Sequence, residues 1–311
     1  MKKILFRSFL FLITAIVLFS CKKDENAQAS PSLDTFLKSK PNLTIFTAAL
    51  EKAQLQSFIT GPGPFTWFAP TDEAFQASLV TMDSLNRMTA GQANYFIQYH
   101  LVNALVRTVD MVAQNSFPRG SQLGATTAGN IYLGQLNDSF YVNGSTLVSP
   151  DNKVSSGVVH IINRLSIPPN LKGNIQTILN STGQHSLFIA ALTRGGRWAA
   201  LGTTSAFTVF APTDVAMTAA GYTAVSIGAA TVGKMDSLVR YHLFSGTRIF
   251  TNDIGNVTTT GTFLGPTQTL KGSSNGRRIK GAGNANPFDI TKPDILGTNG
   301  VVHIINGILQ F

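Results

Sequence analysis

Four of the chain's five histidines, His100, His160, His242 and His303, stand in phrases that the sequence writes twice. Tyr99-His100-Leu101 returns as Tyr241-His242-Leu243, 142 positions later. Gly157-Val158-Val159-His160-Ile161-Ile162-Asn163 returns as Gly300-Val301-Val302-His303-Ile304-Ile305-Asn306, at an offset of 143. Imidazoles relay protons near neutral pH and bind zinc. A zinc site wants four ligands, or three with an open position. Each copy offers two histidines some sixty positions apart, and no acid or cysteine reads as recurring beside them at ligand spacing. A histidine among valines and isoleucines reads instead as a hydrogen-bonded core residue.

Other groups with chemical potential have structural readings too. Asp72 and Asp214 follow Thr71 and Thr213 in a third duplicated phrase. They are expected to meet the positive end of a helix that the threonines cap. Gly272-Ser273-Ser274-Asn275-Gly276 fits a nucleophile-elbow pattern. It lies in a Gly/Ser loop rather than a strand-to-helix turn, and in one copy alone. Lys271, Arg277, Arg278 and Lys280 form a basic loop that reads as solvated or as a contact for anionic glycans or headgroups. Asp83-Ser84-Leu85 and Asp236-Ser237-Leu238 resemble a short acceptor motif for protein O-glycosylation. The expectation is no catalytic residue, no metal ligand, no cofactor and no assigned binding residue.

The elements that position these residues are also written twice. Phe65-Thr66-Trp67-Phe68-Ala69-Pro70-Thr71-Asp72 returns as Phe207-Thr208-Val209-Phe210-Ala211-Pro212-Thr213-Asp214. A repeat of this length is a duplicated domain, because solenoid units run to only ~20–50 residues. Leu33, Phe36 and Leu37, with Ile175, Ile178 and Leu179, predict an opening helix in each copy. Phe46 and Leu50, with Phe188 and Leu192, predict a second, whose stripe Leu43 extends in the first copy but His185 interrupts in the second. Phe65 to Phe68 predicts a strand closed by Pro70. A helix bearing Tyr95, Phe96 and Tyr99 follows, and Asn143-Gly144 predicts a tight hairpin turn. The β-branched Val-Val-His-Ile-Ile phrases predict strands buried on both faces. Helices early and strands late make the class α+β.

The N-terminal end predicts export. Lys2, Lys3 and Arg7 precede a mostly apolar run from Ser8 to Ser20, short of the ~20 residues that span a bilayer. Leu18-Phe19-Ser20-Cys21 resembles the lipobox of bacterial lipoproteins, with Cys21 as the lipidated residue. Cys21 is the chain's one cysteine, so no intramolecular disulfide can form. Lys22-Lys23-Asp24-Glu25 resembles a surface-export signal of Bacteroidetes lipoproteins, and it also suits a solvated tether. The expected organisation is residues 1–20 signal peptide, 21–31 lipidated tether, 32–169 first domain and 171–311 second domain. Ile167-Pro168-Pro169-Asn170 reads as a stiff linker between them. Without the signal, 21 basic residues face 15 acidic ones, and charged residues make up 13% of the chain. That mildly basic surface does not argue for nucleic acid as a partner.

The order of these phrases resembles the fasciclin-like domain family: Phe-Thr-Val-Phe-Ala-Pro-Thr-Asp, then Tyr-His, then Asn-Gly-Val-Val-His-Ile-Ile-Asn. The likeness covers nearly everything after the tether. Copy one departs in having Ser155-Ser156 where copy two has Thr298-Asn299, and copy two in having Met217 where copy one has Phe75. The resemblance implies two β-strand wedges, each packed against several helices. It also implies adhesion or interaction outside the cell, with extracellular proteins or glycans as partners. Together with Cys21, it predicts a lipid-anchored outer-membrane protein, either at the cell surface or on the periplasmic face. The alternative is an enzyme or accessory factor acting on envelope polysaccharide, which would bring two carboxylates together over a sugar bond.

Overall fold

The strand Phe65–Pro70 and its copy Phe207–Pro212 are buried at every residue. Each lies parallel to the late strand of its own repeat, Gly157–Ile162 or Gly300–Ile305. Phe68 stands opposite His160, and Phe210 opposite His303. The first and last duplicated phrases are therefore neighbouring inner strands of one sheet. A strand covered on both faces has no solvent side, which accounts for the mostly apolar wording; the polar exceptions, Thr66, His160, Thr208 and His303, are themselves fully buried.

The computed structural model describes residues 29–111, 117–121, 129–254, 258–262, 265–272 and 277–311. Cys21, the signal segment and residues 273–276 of the glycine/serine loop lie outside them. The first sheet runs, edge to edge, Leu101–Val102, Phe65–Pro70, Gly157–Ile162, Ser145–Val154, Ser139–Val142, Asn130–Leu136, Phe117–Gly120. The second repeats that order with Leu243–Ser245, Phe207–Pro212, Gly300–Ile305, Phe288–Gly297, Arg278–Gly281, Gly265–Gly272 and Thr258–Thr262. In each sheet the inner pair is parallel and the other neighbours are antiparallel.

Helices cover one face of each sheet. Leu33–Lys38, Thr44–Lys52 and Ala90–Gln98 bury Leu33, Phe46, Leu50 and Phe96 against Trp67 and Phe75. Ile175–Ser181, Ser186–Arg194 and Val232–Tyr241 do the same around Val209 and Met217. Burying each large apolar side chain contributes roughly 1.5–3 kcal/mol, so these two clusters are the main source of stability. Leu43 and His185 lie just before their helices, not inside them, and both are fully buried. His185 manages this by bonding the Pro212 carbonyl through Nδ1 at 2.8 Å. The expected hairpin is present: Asn143 (φ 49°) and Gly144 (φ 72°) make the two-residue turn, with Val142 facing Ser145. The stiff linker is only half extended, because Pro169 opens a helical turn, Pro169–Lys172, after the extended Pro168. Proline suits a first helical position, where no amide partner is needed. Among the described residues no helix is long and apolar enough to cross a membrane.

The threonine caps are where the sequence put them: Ala74 N donates to Thr71 Oγ1, and Ala216 N to Thr213 Oγ1, each at 3.2 Å. The aspartates beside them do something the sequence reading did not anticipate. Asp72 accepts from Thr44 N, Thr44 Oγ1 and Ile45 N at 3.2, 2.8 and 2.9 Å. Asp214 accepts from Ser186 N, Ser186 Oγ and Leu187 N at 3.1, 2.8 and 2.8 Å. Each carboxylate caps the preceding helix, whose own cap residue, Leu43 or His185, offers no side-chain acceptor to it. Asp72→Ala is therefore expected to cost about 1–2 kcal/mol, the size of a lost N-cap. Urea unfolding should register it, and an unchanged midpoint would mean the cap is dispensable.

Candidate functional site

The duplicated polar residues converge on one short loop in each repeat. In the first, Thr66 Oγ1 donates to Ala104 O at 2.7 Å and accepts from Val106 N at 2.8 Å. His160 Nε2 donates to Val106 O at 2.8 Å. Asp151 then accepts from Thr108 N at 3.1 Å and from the Thr108 hydroxyl. In the second repeat Thr208 bonds Thr247 O and Ile249 N at 3.0 and 2.8 Å. His303 Nε2 bonds Ile249 O at 2.8 Å, and Asp294 accepts from Thr251 N and Oγ1 at 2.7 and 2.6 Å. Residues 104–108 and 247–251 are thus pinned through their main chains. Val106 and Ile249 turn into their cores, while Leu105 and Arg107 of the first loop face outward.

A shared polar constellation therefore exists, contrary to the sequence reading. The acid that recurs is Asp151 or Asp294, each nine residues before its histidine and each preceded by proline. That Pro-Asp spacing was the available signal. Both aspartates sit in a β-bulge with left-handed backbone, φ 55° and 57°. Aspartate tolerates that conformation better than most residues. The bulge turns the carboxylate off the strand toward the loop.

The geometry is that of a fastener, not a proton relay. Asp151 N donates to His160 Nδ1 at 3.1 Å, and Asp294 N to His303 Nδ1 at 3.2 Å. A nitrogen that accepts an amide proton carries none itself, so each ring is the neutral Nε2–H tautomer. The aspartate oxygens stand 3.9 and 3.8 Å from those nitrogens, with no proton between to share. Burial pushes both histidines below the usual imidazole pKa. Hydrogen bonding to Val106 and the Asp151 charge oppose that at His160, as the Asp294 charge and the Ile249 bond do at His303. The rings stack on Phe68 and Phe210, centroids 5.2 and 4.9 Å apart.

The Tyr-His phrases serve helix ends. His100 Nδ1 bonds Phe96 O at 3.1 Å and His242 Nδ1 bonds Leu238 O at 2.9 Å, satisfying carbonyls of a final helical turn. Burial holds both rings down to about 4. Among the described residues no cluster of three or more His, Cys, Asp or Glu could hold a metal. Of the basic loop, Arg278 pairs with Asp289 at 2.9 Å and Lys280 reaches Asn284 O at 3.4 Å. Ser84 caps its helix reciprocally with Thr81.

A family model, the Fasciclin domain, matches residues 41–168 and 183–311, most of the chain and both repeats. The chain belongs to the fasciclin domain family. Mouse Stabilin-2 is 24% identical over 274 residues, covering 86% of this chain and 10% of its own length. Pig transforming growth factor-beta-induced protein ig-h3 is 23% identical over 275 residues, covering 88% and 37%. Protein sll1483 of the cyanobacterium Synechocystis is 28% identical over 130 residues, covering 39% and 65%. This chain spans less than two thirds of each of them. A solved fasciclin domain pair from the insect cell adhesion molecule Fasciclin I aligns with a TM-score of 0.41 at 17% identity, covering 86% of this chain and 96% of that one.

The two fasciclin domains meet through the second domain's pinned loop. Phe250 packs on Tyr132 of the first domain, centroids 5.4 Å apart, and the Arg248 guanidinium lies 5.6 Å from the same ring. Arg164 of the first domain pairs with Asp294 at 2.5 Å and also donates to Gly144 O. Gly144 comes so close to the Asp294 carboxylate that a Cβ there would overlap it. The second domain's pinned loop is thus part of the contact between the two domains.

Proposed function

We propose that this chain is a lipid-anchored interaction protein of a Gram-negative cell envelope. It is held to the outer membrane through Cys21, with its two fasciclin domains facing outward to bind extracellular proteins or glycans. The observation that carries the reading is the pinned loop. In each domain a threonine, a histidine and an aspartate that recur in both copies are spent on fixing the main chain of one loop, and the second copy is already engaged in a domain contact. Family membership supports an interaction role, and the Leu18-Phe19-Ser20-Cys21 phrase supports the anchor. Two or more acyl chains on one residue suffice for stable membrane attachment.

Metabolic labelling with an alkynyl fatty acid tests the anchor. The wild-type chain is expected to take up label and partition into detergent, and Cys21→Ala to do neither. Protease added to washed intact cells is expected to remove the protein. Survival of the full-length chain would place the domains on the periplasmic face instead.

A further inference from the structure

Internal duplication allows one domain to be read against the other. The loops correspond residue by residue at an offset of 143: Leu105 with Arg248, Arg107 with Phe250, Val109 with Asn252, Asp151 with Asp294. In the second domain this surface is covered by the first: Phe250 is 0% and Asn252 4% exposed, and the Asp294 side chain 2%. In the first domain the same surface is open. Leu105 is 43% and Val109 76% exposed, and the Asp151 side chain 33%. Val109 follows, and Leu105 precedes by three residues, the Thr108 that Asp151 holds. Two exposed apolar side chains and a partly open carboxylate, on a loop held rigid from beneath, form a built surface rather than scattered exposure.

We propose that this face of the first domain is a docking site for a protein segment that presents an arginine beside an aromatic ring. The proposal rests on the reading of the chain as an interaction protein. The occupant's chemistry is read from what fills the equivalent place in the second domain: the Arg164 guanidinium on the carboxylate and the Tyr132 ring on the loop. Arg164 Nη2 donates to both the carboxylate and the Gly144 carbonyl, and arginine suits the place better than lysine because its flat guanidinium can also lie against an aromatic ring. At the Phe250 position the first domain carries Arg107, whose exposed guanidinium offers a stacking face to the partner's ring. Arg107 pairs with Asp110, at 3.9 Å.

The occupant is not a second copy of this chain. The first domain's own Arg164 and Tyr132 are engaged within the chain. The second domain has Gly307 at the position of Arg164, with the Phe288 ring filling the space a side chain there would need. In place of the Asn143-Gly144 turn it has a longer connection between Arg278–Gly281 and Phe288–Gly297. Head-to-tail stacking therefore ends at this chain, and the open face is left for a different protein.

The test is a titration of the ¹⁵N-labelled two-domain chain, carrying Cys21→Ser, with the dipeptide acetyl-Tyr-Arg-amide. The amides of Thr108 and Asp151 are expected to shift saturably, with a Kd on the order of 1 mM. Those of Thr251 and Asp294, already covered by Arg164, should stay still. Acetyl-Tyr-Lys-amide should bind about tenfold more weakly. Asp151→Asn, which keeps an acceptor for Thr108 and tolerates the same backbone, should abolish the response. No shift, an equal response to the lysine dipeptide, or a response that survives Asp151→Asn would overturn the proposal. None of these outcomes bears on the lipid anchor or surface display, which the labelling and protease experiments decide separately.

Discussion

Between pH 6.5 and pH 4.5 each fasciclin domain is expected to lose on the order of 2–3 kcal/mol of stability, before most carboxylates titrate. The cause is the buried imidazoles. His100 in the first domain and His242 in the second are held near pKa 4 by burial, against 6.5 for an exposed ring. A folded-state pKa below the unfolded value means that protons bind the unfolded chain first. The stabilisation is therefore complete above pH 6.5, falls as the pH drops, and levels off below about 4. His160, His185 and His303 are shifted in the same direction and add to the slope. Urea unfolding at half-unit pH intervals measures this directly. A midpoint that stays flat from 6.5 to 4.5 would mean that the rings are solvated or already charged in the folded state.

Gly157→Ala is expected to unfold the first domain, at a cost of about 4 kcal/mol or more. Gly157 lies directly opposite Phe65 on the parallel inner pair, with φ at +146°. A Cβ there would fall inside the van der Waals shell of the Phe65 carbonyl oxygen. The obstacle is main chain at the centre of a buried sheet, so no side-chain rotation relieves it, and the φ angle is one that L-residues rarely adopt. Gly300 repeats the arrangement against Phe207 O. Trp67, buried in the first core, gives a local fluorescence signal for unfolding there. A Gly157→Ala chain that kept the wild-type Trp67 transition would show that the strand shifts to accommodate the methyl group.

What the sequence by itself determined was local and repetitive. Apolar spacing located the helices around Leu33 and Phe46, proline and threonine marked where Phe65–Pro70 stops and a helix begins, and Asn143-Gly144 specified its own turn. These features are legible because each depends on residues within one or two turns of one another. The family followed from the order of the duplicated phrases, and the burial of the histidines from their apolar neighbours.

Only the tertiary structure decided which distant groups meet. Asp72 looks like part of its own helix start, yet its oxygens reach amides 27 and 28 residues back, because the packing of two helices places it over an uncapped end. The pinning of Val106 needs Thr66 and His160 on neighbouring strands, and the parallel register provides this by setting Thr66 opposite Val158, two residues from His160. Asp151 and Asp294 share a motif, a bulge and a threonine partner, so their own sequence makes them equivalent. They differ because the first domain's Arg164 and Gly144 lie against Asp294, while among the described residues no arginine stands in that place over Asp151. Exposure is a property of what packs against a surface, and a repeat cannot encode its neighbour.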